Sequence, residues 1–235
     1  MTVSTSTTDL DALPPAMAFQ TLVLLLLAVV LGALAGAVAL PQWAPALSDT
    51  LVGTAPKAYW YLSRASAMAS FVLTWMSIIL GLTLTNKMAR IWPGGPVVFD
   101  LHQHTSLLGL AAALFHALIL MGDRYIGYTL GTVMTPFASI DYKPFWVGLG
   151  QIAFYVLAVV GLSFYVRKWM GARLWRSVHY LSFGVFALAL VHGVMSGTDT
   201  AALPITVMYW TAAGSVVFLT LQRVLVTGGA PAKAR

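Results

Sequence analysis

The sequence predicts an all-α membrane protein built as a bundle of six transmembrane helices, and three observations carry that expectation. Hydrophobic residues make up 59% of the 235-residue chain and charged residues only 9%, whereas a soluble domain is roughly half apolar and about a quarter charged. Six predominantly apolar runs are each about 20 residues long, the length at which a helix crosses a hydrocarbon core ~30 Å thick. The basic residues also divide unevenly between the two sides that six crossings create.

The runs are Phe19 to Leu40, Ala65 to Thr85, Leu101 to Met121, Phe145 to Val166, Ser177 to Ser196 and Ile205 to Gln222. Before the first lies a polar segment, residues 1–18, rich in Ser and Thr and carrying Asp9 and Asp11 without a Lys or Arg. A cleaved signal peptide needs a basic start and a shorter apolar core, so the first run reads as a retained helix. Pro41 is expected to close it. The turn Pro93-Gly94-Gly95-Pro96 precedes the third run, and Pro144 and Pro204 open the fourth and sixth. Residues 19–226 thus form one transmembrane domain, and residues 227–235 a short Gly/Ala/Pro-rich tail expected to be poorly ordered.

Six crossings place Lys87, Arg90, Arg167, Lys168, Arg173, Arg176, Arg223, Lys233 and Arg235 on one side. The other side has Lys57, Arg64, Arg124 and Lys143 together with Asp49, Asp123, Asp141 and Asp199. The positive-inside rule then makes both termini cytoplasmic, and the expected location is a bacterial inner (plasma) membrane. These bases are too scattered to track a phosphate backbone, so no nucleic-acid partner is expected. Trp43, Trp60, Trp92, Trp146, Trp169 and Trp175 fall near run ends, as an aromatic belt at the lipid interface would. The long outward connection from Gly122 to Lys143 either docks an external partner or caps whatever lies beneath it.

Composition also narrows the chemistry. The chain has no Cys, which removes disulfides, thiolate nucleophiles and cysteine-held metal or iron-sulfur centres. All seven acidic residues are Asp, so no mechanism can use a glutamate.

Histidine supplies the pattern instead, because ionisable groups inside a bilayer are costly and point to function. His102, His104 and His116 lie on the third run, His179 and His192 on the fifth, and these two runs cross in the same direction. The 14 positions from His102 to His116 rise about 21 Å along a helix, and the 13 from His179 to His192 about 20 Å. Two matched levels result, His102 with His179 near the cytoplasmic face and His116 with His192 toward the outer leaflet. An imidazole on each side of a macrocycle makes a six-coordinate iron suited to electron transfer.

At about 100° per residue His102 and His116 are some 40° apart around their helix, against about 120° for His104 and His116, so His102 is the better ligand. The offset of about 140° between His179 and His192 asks for tilt or a local π-bulge. Two other readings stand beside this one: membrane histidines that simply bond neighbouring helices, and a metal site from Asp100, His102 and His104, which residues two apart on a helix serve badly.

Three stretches resemble the ferric reductase-like transmembrane family, which includes the membrane halves of NADPH oxidases and ferric reductases and the haem-binding subunit of bacterial methionine sulfoxide reductase systems. They are Leu101-His102-Gln103-His104 through Leu114-Phe115-His116-Ala117-Leu118, then Leu174-Trp175-Arg176-Ser177-Val178-His179 through Val191-His192-Gly193, and more loosely Ser63-Arg64-Ala65-Ser66-Ala67 leading to Gly81-Leu82. The likeness covers roughly residues 59–200. It implies a six-helix cytochrome binding haem b, two groups or one, with His102, His116, His179 and His192 as the iron ligands. It implies that the 13-residue offset is tolerated, and His104 is a departure from the pattern. Oxidases and reductases of the family append a flavin and nicotinamide domain, for which the residues after Arg223 are too few. The donor is then expected to be a separate flavoprotein, another redox protein or a quinol, with a separate acceptor.

Haem propionates need cationic partners near the membrane surfaces. Arg64 at the outer level and Arg176 or Arg173 at the inner level suit that role, with interfacial snorkelling and topology as their ordinary alternatives. The leading expectation is therefore a membrane subunit moving electrons between a cytoplasmic or quinol donor and an outer acceptor. Its rivals are a haem-free proton or ion pathway and an accessory subunit of a larger respiratory or photosynthetic complex.

Overall fold

The computed structural model describes residues 14–52, 57–90, 93–140 and 142–228. Asp9, Asp11, Trp92, Asp141, Lys233 and Arg235 lie outside them, as do the outer parts of the two terminal segments. Among the described residues six helices are long and apolar enough to cross a membrane, and there is no strand. In chain order they are α1 (Phe19–Leu34), which runs on through a π turn into α2 (Leu40–Trp43), then α4 (Ala58–Thr85), α5 (Gly95–Ile119), α7 (Pro144–Met170), α8 (Ala172–Ser196) and α9 (Leu203–Gly228). Two short helices, α3 (Pro45–Val52) and α6 (Leu130–Met134), sit in the connections after the first and third spans. Leu24, Leu31, Trp210 and Phe218 point outward, an arrangement that water would penalise and lipid accepts. The chain is an integral, multi-pass membrane protein.

Several boundaries differ from the sequence expectation. Pro41 does not close the first span, which continues to Trp43. The chain widens into a π turn over Ala35–Ala39, with Leu40 N–H donating to the Ala35 carbonyl. A wider turn leaves a carbonyl without its usual donor, and Pro41 has no N–H to give. The Gly36 carbonyl is met instead by the Tyr59 hydroxyl at 2.7 Å. The second span begins at Ala58 and the third at Gly95, earlier than Ala65 and Leu101, because their first turns carry Ser63, Arg64, Asp100 and other polar groups that find partners within the bundle or at its surface. The fifth span is a continuous α-helix, so of the two ways to reconcile its histidine offset, tilt or a π-bulge, the bulge is absent.

Packing positions the site. α4 lies along α5 and α7 along α8, with α1 against α5 and α9 against α4. The α4–α5 approach is close: a Cβ on Gly109 would stand 3.2 Å from Thr74 Oγ1, and Ser70 Oγ donates to the Gly109 carbonyl at 2.9 Å. One apolar cluster joins α4, α8 and α9 through Phe71, Ile78, Phe186, Tyr209 and Ala212. A second joins α1, α5 and α6 through Ala33, Leu118 and Val133. α5 and α8, the two histidine-bearing helices, are not among the closely packed pairs. Two cavities fill the space between them.

Candidate functional site

Each cavity contains one histidine from α5 and one from α8. His116 and His192 line the cavity beneath the Gly122 to Lys143 connection, the outer one by the orientation that the basic residues predict, about 1530 Å³ including its open mouth. His102 and His179 line the inner one, about 1800 Å³ measured the same way. The ring centroids are 6.3 Å apart in the outer pair, with planes at 67°, and 5.9 Å apart in the inner pair, with planes at 72°. A metal held by two imidazole nitrogens at about 2 Å, each roughly 1 Å from its ring centre, sets centroids about 6 Å apart. Both pairs have that separation.

Local chemistry fixes which nitrogen faces the cavity. His116 Nδ1 lies 2.8 Å from the Ser63 carbonyl oxygen, His102 Nδ1 2.8 Å from that of Ser77, and His192 Nδ1 2.8 Å from that of Trp146. A carbonyl can only accept, so Nδ1 carries the proton in all three rings and Nε2 keeps its lone pair, the arrangement of a ring placed to ligate. Glycine permits the approach at two of them. A Cβ on Gly150, one turn past Trp146, would come within 2.5 Å of His192 Nδ1, and one on Gly81, one turn past Ser77, within 3.3 Å of His102 Cε1. His179 has a different support, the Trp175 ring stacked at 5.3 Å and 30°.

Cations stand at the edges. Arg64, one residue after Ser63, lines the outer cavity and forms an ion pair with Asp199. Arg176 and Arg223 line the inner cavity, where Arg223 also donates to the Thr85 carbonyl at 2.7 Å. Trp175 adds a buried indole N–H that has no acceptor, an expensive state that an oxygen-bearing group in the cavity would relieve. Arg173 is not part of either cavity lining.

The outer connection covers its cavity. Ile126, Tyr128, Val133, Met134 and Tyr142 all line it. Gln151 Nε2 donates to the Thr132 and Val133 carbonyls, both at 2.8 Å, while its Oε1 accepts from Phe137 N–H at 3.2 Å. The Tyr155 hydroxyl bonds the Met134 carbonyl, and the Tyr142 hydroxyl donates to the Ser196 carbonyl at 2.6 Å. Burial raises the Tyr142 hydroxyl pKa above its usual value, and nearby Tyr128 adds to the effect. This connection caps the cavity beneath it, although Tyr125 stays wholly exposed.

The remaining histidine goes elsewhere. His104 lies outside both cavities, with Nδ1 3.0 Å from the Asp100 carbonyl oxygen and 3.6 Å from the Asp100 carboxylate. Among the described residues no three His, Asp or Glu side chains converge as a metal cage, so the Asp100, His102 and His104 site is not formed. Two facing imidazoles would give a metal two protein donors, and a haem would bring its remaining ligands with it. The bare Nε2 atoms, the roomy and largely apolar cavities, the glycine cradles and the edge cations are a donor set that fits haem.

The supporting roles of Ser63, Ser77, Gly150, Trp146 and Asp199 are not evident from the sequence alone. One signal was available: Ser63 and Ser77 are 14 residues apart, the same interval as His102 and His116 on the antiparallel neighbour. Comparisons of the chain with protein-family models, curated proteins and solved structures found no match.

Proposed function

We propose that this chain is a dihaem b-type cytochrome of the ferric reductase-like kind, moving electrons across the membrane between a donor on the side of the Arg167 to Arg176 connection and an acceptor on the opposite side. The observation that carries the reading is the repetition of one device at two depths: facing imidazoles 5.9 and 6.3 Å apart, in separate cavities. His116 and His192 would hold the outer haem and His102 and His179 the inner one. When bound, haem supplies the one-electron redox chemistry.

The chain's own residues do the rest. Bonds at Nδ1 of His102, His116 and His192 orient the rings and raise the basicity of Nε2. The apolar cavity walls exclude water and so help to set the potentials. Arg64 at the outer edge and Arg176 at the inner edge are placed to pair with carboxylates. The donor is a separate flavoprotein, another redox protein or a quinol, and the basic inner connection makes that side cytoplasmic.

Pyridine haemochrome analysis of the purified protein tests the reading. About two haems per chain are expected, falling to about one when either His116 and His192 or His102 and His179 are replaced by Ala. Pigment-free protein, or spectra indifferent to all four substitutions, would overturn it. Ion flux through pigment-free protein in liposomes would favour a haem-free pathway, and undiminished electron transfer by the ligand variants within a larger complex would favour an accessory subunit.

A further inference from the structure

We propose that Ser63 and Ser77 are positioning residues that tune His116 and His102 separately, each serine governing the potential of one level; the inference rests on the dihaem reading above. Both serines are on α4, both are buried, and each meets the α5 histidine opposite in the same way. Ser63 Oγ lies 2.8 Å from His116 Nδ1 and 3.0 Å from the His116 carbonyl oxygen. That carbonyl only accepts, so the hydroxyl proton goes to it and the oxygen's lone pairs face Nδ1–H. Nδ1–H is then shared between two oxygens of one serine, its carbonyl and its hydroxyl.

Ser77 repeats the seat in a looser form. Its Oγ is 3.1 Å from His102 Nδ1 and 3.4 Å from the His102 carbonyl oxygen. It also bonds Ser106 Oγ at 2.5 Å, and Ser106 donates to the same carbonyl at 2.9 Å. Other serines on the helix behave differently: Ser66 bonds carbonyls of its own helix and Ser70 bonds the Gly109 carbonyl. The fifth span offers only a long contact within its own helix, Ser196 Oγ at 3.5 Å from His192 Nδ1, and among the described residues no serine from a facing helix bonds that ring. Each level therefore has one serine-seated ring.

A second acceptor at Nδ1–H pushes electron density toward Nε2 and favours the oxidised metal. Removing the hydroxyl should therefore raise the midpoint potential of that level alone. Optical redox titration of the purified full-length protein measures this. S63A is expected to raise one midpoint and S77A the other, by about threefold to tenfold in the ferric-to-ferrous ratio at fixed potential, roughly 30 to 59 mV for one electron. The shorter outer bond makes the S63A shift the larger. S63T and S77T, which keep the hydroxyl, should retain the original midpoints. If an Ala variant does not accumulate, S63C or S77C, with a weak acceptor in the same place, carries the same expectation.

Midpoints that stay fixed or move together in S63A or S77A, or shifts as large in the Thr variants as in the Ala ones, would overturn the serine assignment while leaving the dihaem reading intact. Wild-type protein without haem removes the dihaem reading first, a distinct outcome.

Discussion

The outer and inner levels use the same two helices and the same residue type, yet their supports differ. At the outer level both rings are anchored by hydrogen bonds, His116 by Ser63 and His192 by the Trp146 carbonyl. The outer connection lies over them, and the Arg64–Asp199 pair stands at the edge. At the inner level His102 is anchored, His179 leans on Trp175, and the edge is formed by Arg176 and Arg223. A ligand pattern can thus repeat while its surroundings set each copy apart, and under the dihaem proposal the surroundings are where two otherwise equivalent stations would acquire different potentials and accessibilities.

The largest effect expected from breaking this contrast comes from the glycines. Gly150→Val puts side-chain atoms where the His192 ring lies, so haem content should fall from about two per chain to about one, with the inner level spared. Gly81→Ala meets its ring at 3.3 Å rather than 2.5 Å, and should retain both haems. Pyridine haemochrome analysis distinguishes these outcomes, and equal behaviour of the two variants would count against unequal cradles.

The edge charges come next. Asp199→Asn removes a negative charge near the outer level and should raise that midpoint. Arg64→Gln removes a positive one and should lower the same midpoint, because charge favours the oxidation state that balances it. Redox titration reads both, and a shift of the inner midpoint instead would place the pair at the wrong level. Gln151→Ala withdraws three hydrogen bonds from the cap, and should speed reduction of the outer level by a small hydrophilic reductant in stopped flow, with the inner rate unchanged. The smallest effect is expected from His104→Ala, which should leave haem content and both midpoints unaltered; loss of a haem would reopen the choice of inner ligand.

Much of this was legible in the sequence because it rests on periodicity and scarcity. Apolar runs of about 20 residues declare spans, and histidine occurs at only five positions, so the 14- and 13-residue intervals stand out. Helix starts were less legible. Ser63 and Arg64 resemble a polar boundary, but Ser63 turns inward to His116 and Arg64 pairs with Asp199 from another connection. Pro41 reads as a stop, and a π turn with a donor from Tyr59 carries the helix past it. The supports for the rings were the least legible, since a backbone carbonyl such as that of Trp146 has no signature in a side-chain alphabet. A glycine such as Gly150 shows its purpose only when the neighbouring helix is in place.

Thr74, Leu157 and Val185 line both cavities. The two chambers therefore adjoin along these side chains. Charge handed from one chamber to the other would move through the low-permittivity middle of the bilayer, where each electron crossing the whole field is worth about 2.3 kcal/mol per 100 mV. Turnover in such a protein would be electrogenic, so the cell's own voltage would act as a throttle or an accelerator on the flow.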